Sequence, residues 1–255
     1  MRFMTTQHLY LLTGASRGMG LSMARQLLTP GHTVLCISRT EQSGLAQHAR
    51  QAGATLLQWC HDLAASSTLG PRLESWLREQ GSTSWRSATL INNAGVIARI
   101  GPLSEADPSN LAQALRVGLE APMLLTAAFL RATEGWPAER RVLNISSGLG
   151  RRPMASQAAY CAAKAGMDHF TRCVALEEAL KPDGAKVCSL APGVIDTGMQ
   201  LQLRSADPAD FPDQDSFARL KTSGQLTSPD EVARRVLAYL ARPGFGAQPV
   251  GDVRD

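Results

Sequence analysis

Short apolar runs alternate with longer amphipathic stretches along the whole chain. Runs of strand length fall at 8–12, 33–38, 55–60, 89–92, 141–146 and 186–190, with a short last one at 250–253. Between them, apolar positions recur at helical spacing over 19–28, 44–52, 67–80, 108–132, 156–180 and 229–240. Strand and helix alternating in this way predict an α/β fold: a Rossmann-type doubly wound parallel sheet of about seven strands, with helices on both faces. A stretch rich in Pro, Asp and Ser at 205–216 interrupts the order late. It reads as part of a lid near 198–223 rather than as a boundary. With no repeat and no linker, residues 1–255 are expected to form a single domain.

Composition changes this picture little. Hydrophobic residues make up 44% of the chain, enough for a sizeable core. The net charge of +4 is modest and the basic residues are dispersed, which argues against nucleic acid as a partner. No apolar run approaches the roughly 20 residues of a membrane span. The opening MRFMTTQHLYLLTGASRG passes from a few polar residues into a strand and a glycine loop, without the three regions of a signal peptide. The five cysteines, Cys36, Cys60, Cys161, Cys173 and Cys188, are odd in number and contain no CxxC pair. The expected location is therefore a reducing cytoplasm. The five histidines lack ligand spacing, so no metal site is expected.

Candidate chemistry begins where the first strand ends, at Thr13-Gly14-Ala15-Ser16-Arg17-Gly18-Met19-Gly20. A dinucleotide's pyrophosphate needs backbone N–H groups at a helix N-terminus with no side chains in the way. Gly14 permits the turn, Gly18 the approach of phosphates, and Gly20 the packing of helix on strand; Ser16, Arg17 and Met19 complete the set of candidate contacts. An NAD-selective site usually carries an acid after the second strand. This chain has Arg39 there, and Arg17 lies in the loop itself. Two guanidinium groups suit a 2′-phosphate, so the expected cofactor is NADP(H). Asp62, followed by Leu63, either accepts from the adenine amino group or caps the helix that begins near Ser66.

Tyr160 and Lys164 lie four apart in a helical stretch and share a face. An ammonium beside a phenol favours the phenolate, and a tyrosine tuned in that way can protonate a carbonyl oxygen as hydride arrives at carbon. Three further motifs follow strands: Asn92-Asn93-Ala94-Gly95, Asn144-Ile145-Ser146-Ser147-Gly148, and Pro192-Gly193-Val194-Ile195-Asp196-Thr197. Strand C-terminal ends are where open α/β sheets place their ligands.

In this order, and together with the glycine loop and Tyr160/Lys164, these motifs closely resemble the short-chain dehydrogenase/reductase superfamily from about residue 8 to the C-terminus. The resemblance implies an oxidoreductase acting on CH–OH and C=O groups. Ser147 would hold the substrate carbonyl, with Ser146 the adjacent alternative; Tyr160 would be the general acid; Lys164 would bind the nicotinamide ribose and lower the tyrosine pKa. Asn93 would contact the cofactor behind the ribose, and Pro192, Gly193, Ile195 and Thr197 would line its carboxamide side. Within the superfamily, Ala121-Pro122-Met123, Ala159-Tyr160-Cys161 and Gly193 through Gln200 look most like sepiapterin reductases and bacterial benzil reductases. That likeness implies NADPH-dependent reduction of an aldehyde, ketone or diketone, aromatic and pterin-like ones included. The tail aspartate Asp252 falls where sepiapterin reductases anchor the pterin; a solvated strand-end aspartate is the other reading. Leu149, Met154, Gln157, Met199 and the segment 201–221, with Phe211 and Phe217, are the expected substrate lining. Pairing through the helices at 108–132 and 156–180 would make a homodimer or homotetramer.

One position departs from the family. Where many members carry an asparagine that orders a proton-relaying water, this chain has Gly118. That leaves a second reading, an NADP-binding regulatory or redox-sensing protein with little turnover, which Ser147, Tyr160 and Lys164 oppose. The physiological direction, reduction or alcohol oxidation, stays open.

Overall fold

The apolar runs pair into one sheet. The computed structural model describes residues 7–82 and 85–255, Ser66 by its backbone only; the expected polar lead-in at 1–6 lies outside the described residues. Seven parallel strands form the sheet: β1 (His8–Thr13), β2 (His32–Ser38), β3 (Thr55–Cys60), β4 (Ser87–Asn92), β5 (Glu139–Ile145), β6 (Lys186–Ala191) and β7 (Val250–Asp252). Their order is β3-β2-β1-β4-β5-β6-β7, so the direction of winding reverses between β1 and β4. Every residue of β4 is buried, as a central strand covered on both faces requires. Residues of β3, at the edge, are at most half-buried.

The helices are α1 (Gly18–Leu27), α2 (Ser43–Ala52), α3 (Leu69–Gln80), α4 (Pro108–Leu115), α5 (Ala121–Ala132), α6 (Ala158–Ala179), α7 (Gly198–Arg204), α8 (Gln214–Thr222) and α9 (Pro229–Ala241). Successive strand side chains point to opposite faces and so supply two cores. Leu12 and Ile145 pack with Met23 and Leu27 of α1 and Val236 and Tyr239 of α9. Leu11, Leu90 and Val142 pack with Leu73 and Leu77 of α3 and Leu125 and Phe129 of α5. Each fully buried side chain of this size contributes about 1.5–3 kcal/mol. Local signals set the helix starts. Asp107 accepts from the Asn110 N–H at 3.0 Å and Ser228 from the Glu231 N–H at 3.2 Å, each followed by a proline at the first helical position.

Four expected elements take a different form. The helix expected over 67–80 is preceded by a 3₁₀ segment, Leu63–Thr68, and becomes α-helical at Leu69. The helix expected from residue 156 starts at Ala158, because Ser156 adopts a left-handed backbone with φ +62°. The lid segment is largely helical, with α7 and α8 flanking the Pro- and Asp-rich stretch.

The helix expected over 108–132 is interrupted by a π-helical turn, Arg116–Glu120. Pro122 has no N–H to return to the carbonyl four residues back, and the Ala121 N–H instead reaches Arg116 O, five residues back. Gly118 sits buried at the centre of this turn against α6, and a Cβ there would lie 3.0 Å from the Ala163 Cβ. The glycine thus lets two helices pack closely, and a side chain there would press on Ala163. Gly118→Asn should therefore overpack this contact and lower stability by about 1–3 kcal/mol, with no gain in turnover. Thermal unfolding of Gly118→Ala alone and with Ala163→Gly checks the cause: the second change should restore most of the loss.

Candidate active site

Because all strands run the same way, the loops after β1, β4, β5 and β6 emerge at one edge of the sheet and enclose a single cleft of about 590 Å³. That volume is within the roughly 300–1,000 Å³ of small-molecule sites. Gly14, Ser16, Arg17, Gly18, Met19 and Gly20 line one end, with Arg39, Asp62 and Leu63 beyond them. Asn93, Ser147, Tyr160, Lys164, Pro192, Gly193, Ile195 and Thr197 line the middle, with Leu149, Gln157, Met199 and Asp252 nearby. Of the candidate site residues, Met154 is not among those lining the cleft. Phe211, also expected there, is fully buried behind Phe217, which does line it; their ring centroids are 5.5 Å apart.

The glycine loop is a cradle that side chains would fill. Gly14 has φ +72°, and a Cβ on Gly20 would meet Gly14 O at 2.1 Å. Opposite, Thr197 Cγ2 lies 3.4 Å from where a Cβ on Gly18 would be, so the loops after β1 and β6 converge. Thr13 Oγ1 accepts from the N–H groups of Asn93 and Ala94 at 3.0 Å, and the Asn93 amide donates to Thr13 O at 3.0 Å and Gly14 O at 3.2 Å. Asn93 is therefore a strut between the β1 and β4 loops as well as part of the wall. Asp62 accepts from the Ala64 N–H at 3.0 Å, capping the 3₁₀ segment, while still lining the cleft. Arg17 and Arg39 are both exposed at this end. The bare backbone N–H groups and the two guanidinium groups fit a dinucleotide carrying phosphate.

At the other end, Ser147 follows β5 and Tyr160 lies in the first turn of α6. The Ser147 hydroxyl faces the Tyr160 phenol closely enough to lower its pKa, while its Oγ accepts from the Leu149 N–H at 3.2 Å. Ser146 is buried with its hydroxyl unpartnered and takes no part in that contact. Burial pushes the Tyr160 phenol up, and the Ser147 hydroxyl opposes this without overcoming it. This reverses the expectation of a lowered pKa. The Lys164 ammonium donates to Ile145 O at 2.6 Å and stands 5.7 Å from the centre of the Tyr160 ring. Lys164 is only 3% exposed, and desolvation, opposed by the Asp168 carboxylate, brings its pKa down to about 8. A phenol that holds its proton is suited to donating it to an oxygen that is becoming an alkoxide.

Sequence reasoning missed Arg152 and Arg254, which line the substrate end, and His61 beside Asp62. Lone arginines carry no spacing signal, and of the C-terminal tail the resemblance pointed only to Asp252. Asp252 is buried, and both its oxygens are held at 2.7 Å by the Arg254 side chain, which keeps its carboxyl below the usual range. It is therefore neither a solvated aspartate nor an unpaired one. No helix among the described residues is long and apolar enough to cross a membrane.

The fold, the glycine cradle and the Ser147–Tyr160–Lys164 group define a nicotinamide-dependent oxidoreductase. The sequence profile of the short chain dehydrogenases matches residues 8–208, and the chain belongs to that family. Among its curated relatives, the benzil reductase ((S)-benzoin forming) of Bacillus cereus is 37% identical over 243 residues, covering 95% of this chain and 96% of that one. Sepiapterin reductase of Xenopus laevis is 32% identical over 212 residues, 78% of this chain and 79% of the relative. The crystal structure of a short-chain dehydrogenase/reductase from Burkholderia vietnamiensis superposes with a TM-score of 0.66 at 34% identity, covering 98% and 99% of the two chains.

The lysine carries a testable linkage. Its folded pKa of about 8 lies below its ordinary 10.5, so between these values the unfolded chain binds the extra proton and stability from this group rises with pH. Below about pH 8 the buried charge costs stability in full. Denaturant unfolding at pH 7, 9 and 10.5 should show the wild type gaining stability relative to Lys164→Met as the pH rises; a constant difference would contradict the depressed pKa.

Proposed function

We propose that this chain is an NADPH-dependent carbonyl reductase that converts an aldehyde, ketone or diketone to the alcohol. The observation that carries this reading is the continuity of one cleft, from Arg17 and Arg39 past the glycine loop to Ser147 and Tyr160. The backbone of the Gly14–Gly20 loop would hold the pyrophosphate, with Ser16 and Met19 at its sides, and Arg17 and Arg39 would take the 2′-phosphate. Asp62 and Leu63 would flank the adenine; Asn93, Pro192, Gly193, Ile195 and Thr197 would seat the nicotinamide half. When bound, the reduced nicotinamide supplies the hydride.

The chain's own residues supply the rest. Ser147 and Tyr160 hydroxyls hold the carbonyl oxygen. As the carbon gains the hydride's electron pair and the C=O π bond opens, the Tyr160 O–H bond breaks and its proton goes to that oxygen. The nearby Lys164 ammonium favours the phenolate left behind, which solvent reprotonates. Leu149, Met199, Leu203, Phe217 and Val96 give the substrate end a large apolar share, which suits an aromatic diketone such as the benzil named for the Bacillus relatives. Gln157 adds a polar edge, and the Asp252–Arg254 pair would meet a substrate as an ion pair rather than as a free carboxylate. The segment 198–223 would close over this end as a lid. Exposed Leu115, Met123, Leu124 and Leu176 on α4, α5 and α6, with Leu180 just after α6, support a homodimer or homotetramer through those helices, working in the cytoplasm.

Two substitutions test the reading, followed by NADPH absorbance against a panel of aromatic diketones and sepiapterin. Tyr160→Phe should lower turnover at least about 100-fold while leaving NADPH affinity within about twofold; retained turnover would place the proton donor elsewhere. NADPH should bind at least about tenfold tighter than NADH, a gap of roughly 1.4 kcal/mol, and Arg39→Asp should erase or reverse it. Equal affinities in the unmodified protein would sink the cofactor assignment.

A further inference from the structure

One buried carboxylate lies just outside the residues assigned above. Asp168 sits on α6, one helical turn beyond Lys164 and two beyond Tyr160, and is 2% exposed. One oxygen accepts from Ser189 Oγ of β6 at 2.6 Å; the other accepts from Arg151 Nε at 3.3 Å. Arg151 ends the 3₁₀ turn Gly148–Gly150 that directly follows Ser147, and its Nη2 donates to Gly251 O of β7 at 2.6 Å. Within that turn Gly150 lies so close to α6 that a Cβ would be 2.9 Å from Lys164 O and 3.0 Å from the Asp168 carboxylate. The Ser147 loop, the Tyr160/Lys164 helix and the last two strands are therefore joined through one side-chain pair, Asp168 holding β6 and Arg151, and Arg151 holding β7.

We propose that Asp168 is a positioning residue, which clamps the Ser147 loop against α6 through Arg151 and so sets the spacing of the Ser147 and Tyr160 hydroxyls over a carbonyl oxygen. Burial of a carboxylate is costly unless it is paired and hydrogen-bonded, and here both oxygens are used in joining separate elements. The carboxylate is also the charge that opposes desolvation of Lys164. The other groups facing that lysine are Tyr160 and Met167 Sδ on α6, Ile145 O at the end of β5, and Gly95 after β4.

The inference rests on the reductase reading for its kinetic arm, and its test has a second arm that does not. Asp168→Asn keeps the volume and an acceptor for Ser189 but loses the charge. Amide hydrogen exchange at 148–152 should become at least about tenfold faster. The value of kcat should fall about ten- to 100-fold with KM changed less than about threefold. The alkaline limb of the pH profile should move down by more than about half a unit, as Lys164 loses its partner. A carboxylate that merely supported the fold would leave that limb in place. Arg151→Gln should speed the same exchange while leaving the limb where it is or raising it; as the Arg151 side chain is 35% exposed, this variant also stands in if Asp168→Asn does not fold. Unchanged exchange in the folded variants overturns the clamp, whether or not the wild type turns over any carbonyl. Faster exchange with wild-type kcat overturns the positioning role. A wild type without turnover counts against the reductase reading alone, and exchange together with the Lys164 pKa, read by the pH dependence of its acylation, then decides the clamp.

Discussion

Parallel pairing from β3 to β7 is the constraint on which the rest of this molecule depends. A parallel strand must be followed by a crossover that returns the chain to the starting edge, so every strand-to-helix turn opens on the same side. At β1 and β4 the winding reverses, and the loops there part instead of covering one another. The Thr13 hydroxyl and the Asn93 amide tie these two loops together across the crevice. The cradle of Gly14 and Gly20, the Ser147 turn and the Pro192–Thr197 wall are all consequences of strand ends lying side by side. Their separation along the chain is immaterial once the sheet has formed.

Within the crevice the decisive energies are electrostatic. A lysine nearly sealed from water sits beside a half-buried tyrosine, and the cost of the charge is met by one backbone carbonyl and one carboxylate. Stability is given up so that an ammonium remains beside the phenol at neutral pH. Burial raises the Tyr160 pKa by more than Ser147 lowers it. At the far end Asp252 shows the opposite solution: a carboxylate drawn to the cleft wall is neutralised by Arg254 two residues later.

The interrupted helix beneath the site shows how packing can replace a side chain. Pro122 withholds one N–H, the chain responds with a π-turn, and the turn brings a glycine into contact with Ala163 on the helix that carries Tyr160 and Lys164. Gly118 thereby brings two helices close at the cost of a polar group at that position.

The sequence by itself determined the succession of strands and helices, the two-sided burial and the glycine loop, because these rest on periodicity of two and 3.6 residues and on local rules for turns and caps. It also determined which residues share a helix face, so Tyr160 and Lys164 could be paired before any fold was known. What only the tertiary structure decided are quantities set by neighbours far away in the chain. The direction of the Tyr160 shift depends on how much protein covers the phenol, which outweighs the opposing influence of Ser147. The exclusion of Met154 and Phe211 from the cleft, and the arrival there of Arg152 and Arg254, depend on how loops and the C-terminal tail pack. Asp168 shares a helix face with Lys164 and was visible in that sense. Its partners Arg151 and Ser189 come from two other elements, and a carboxylate acquires a role only when the fold delivers them.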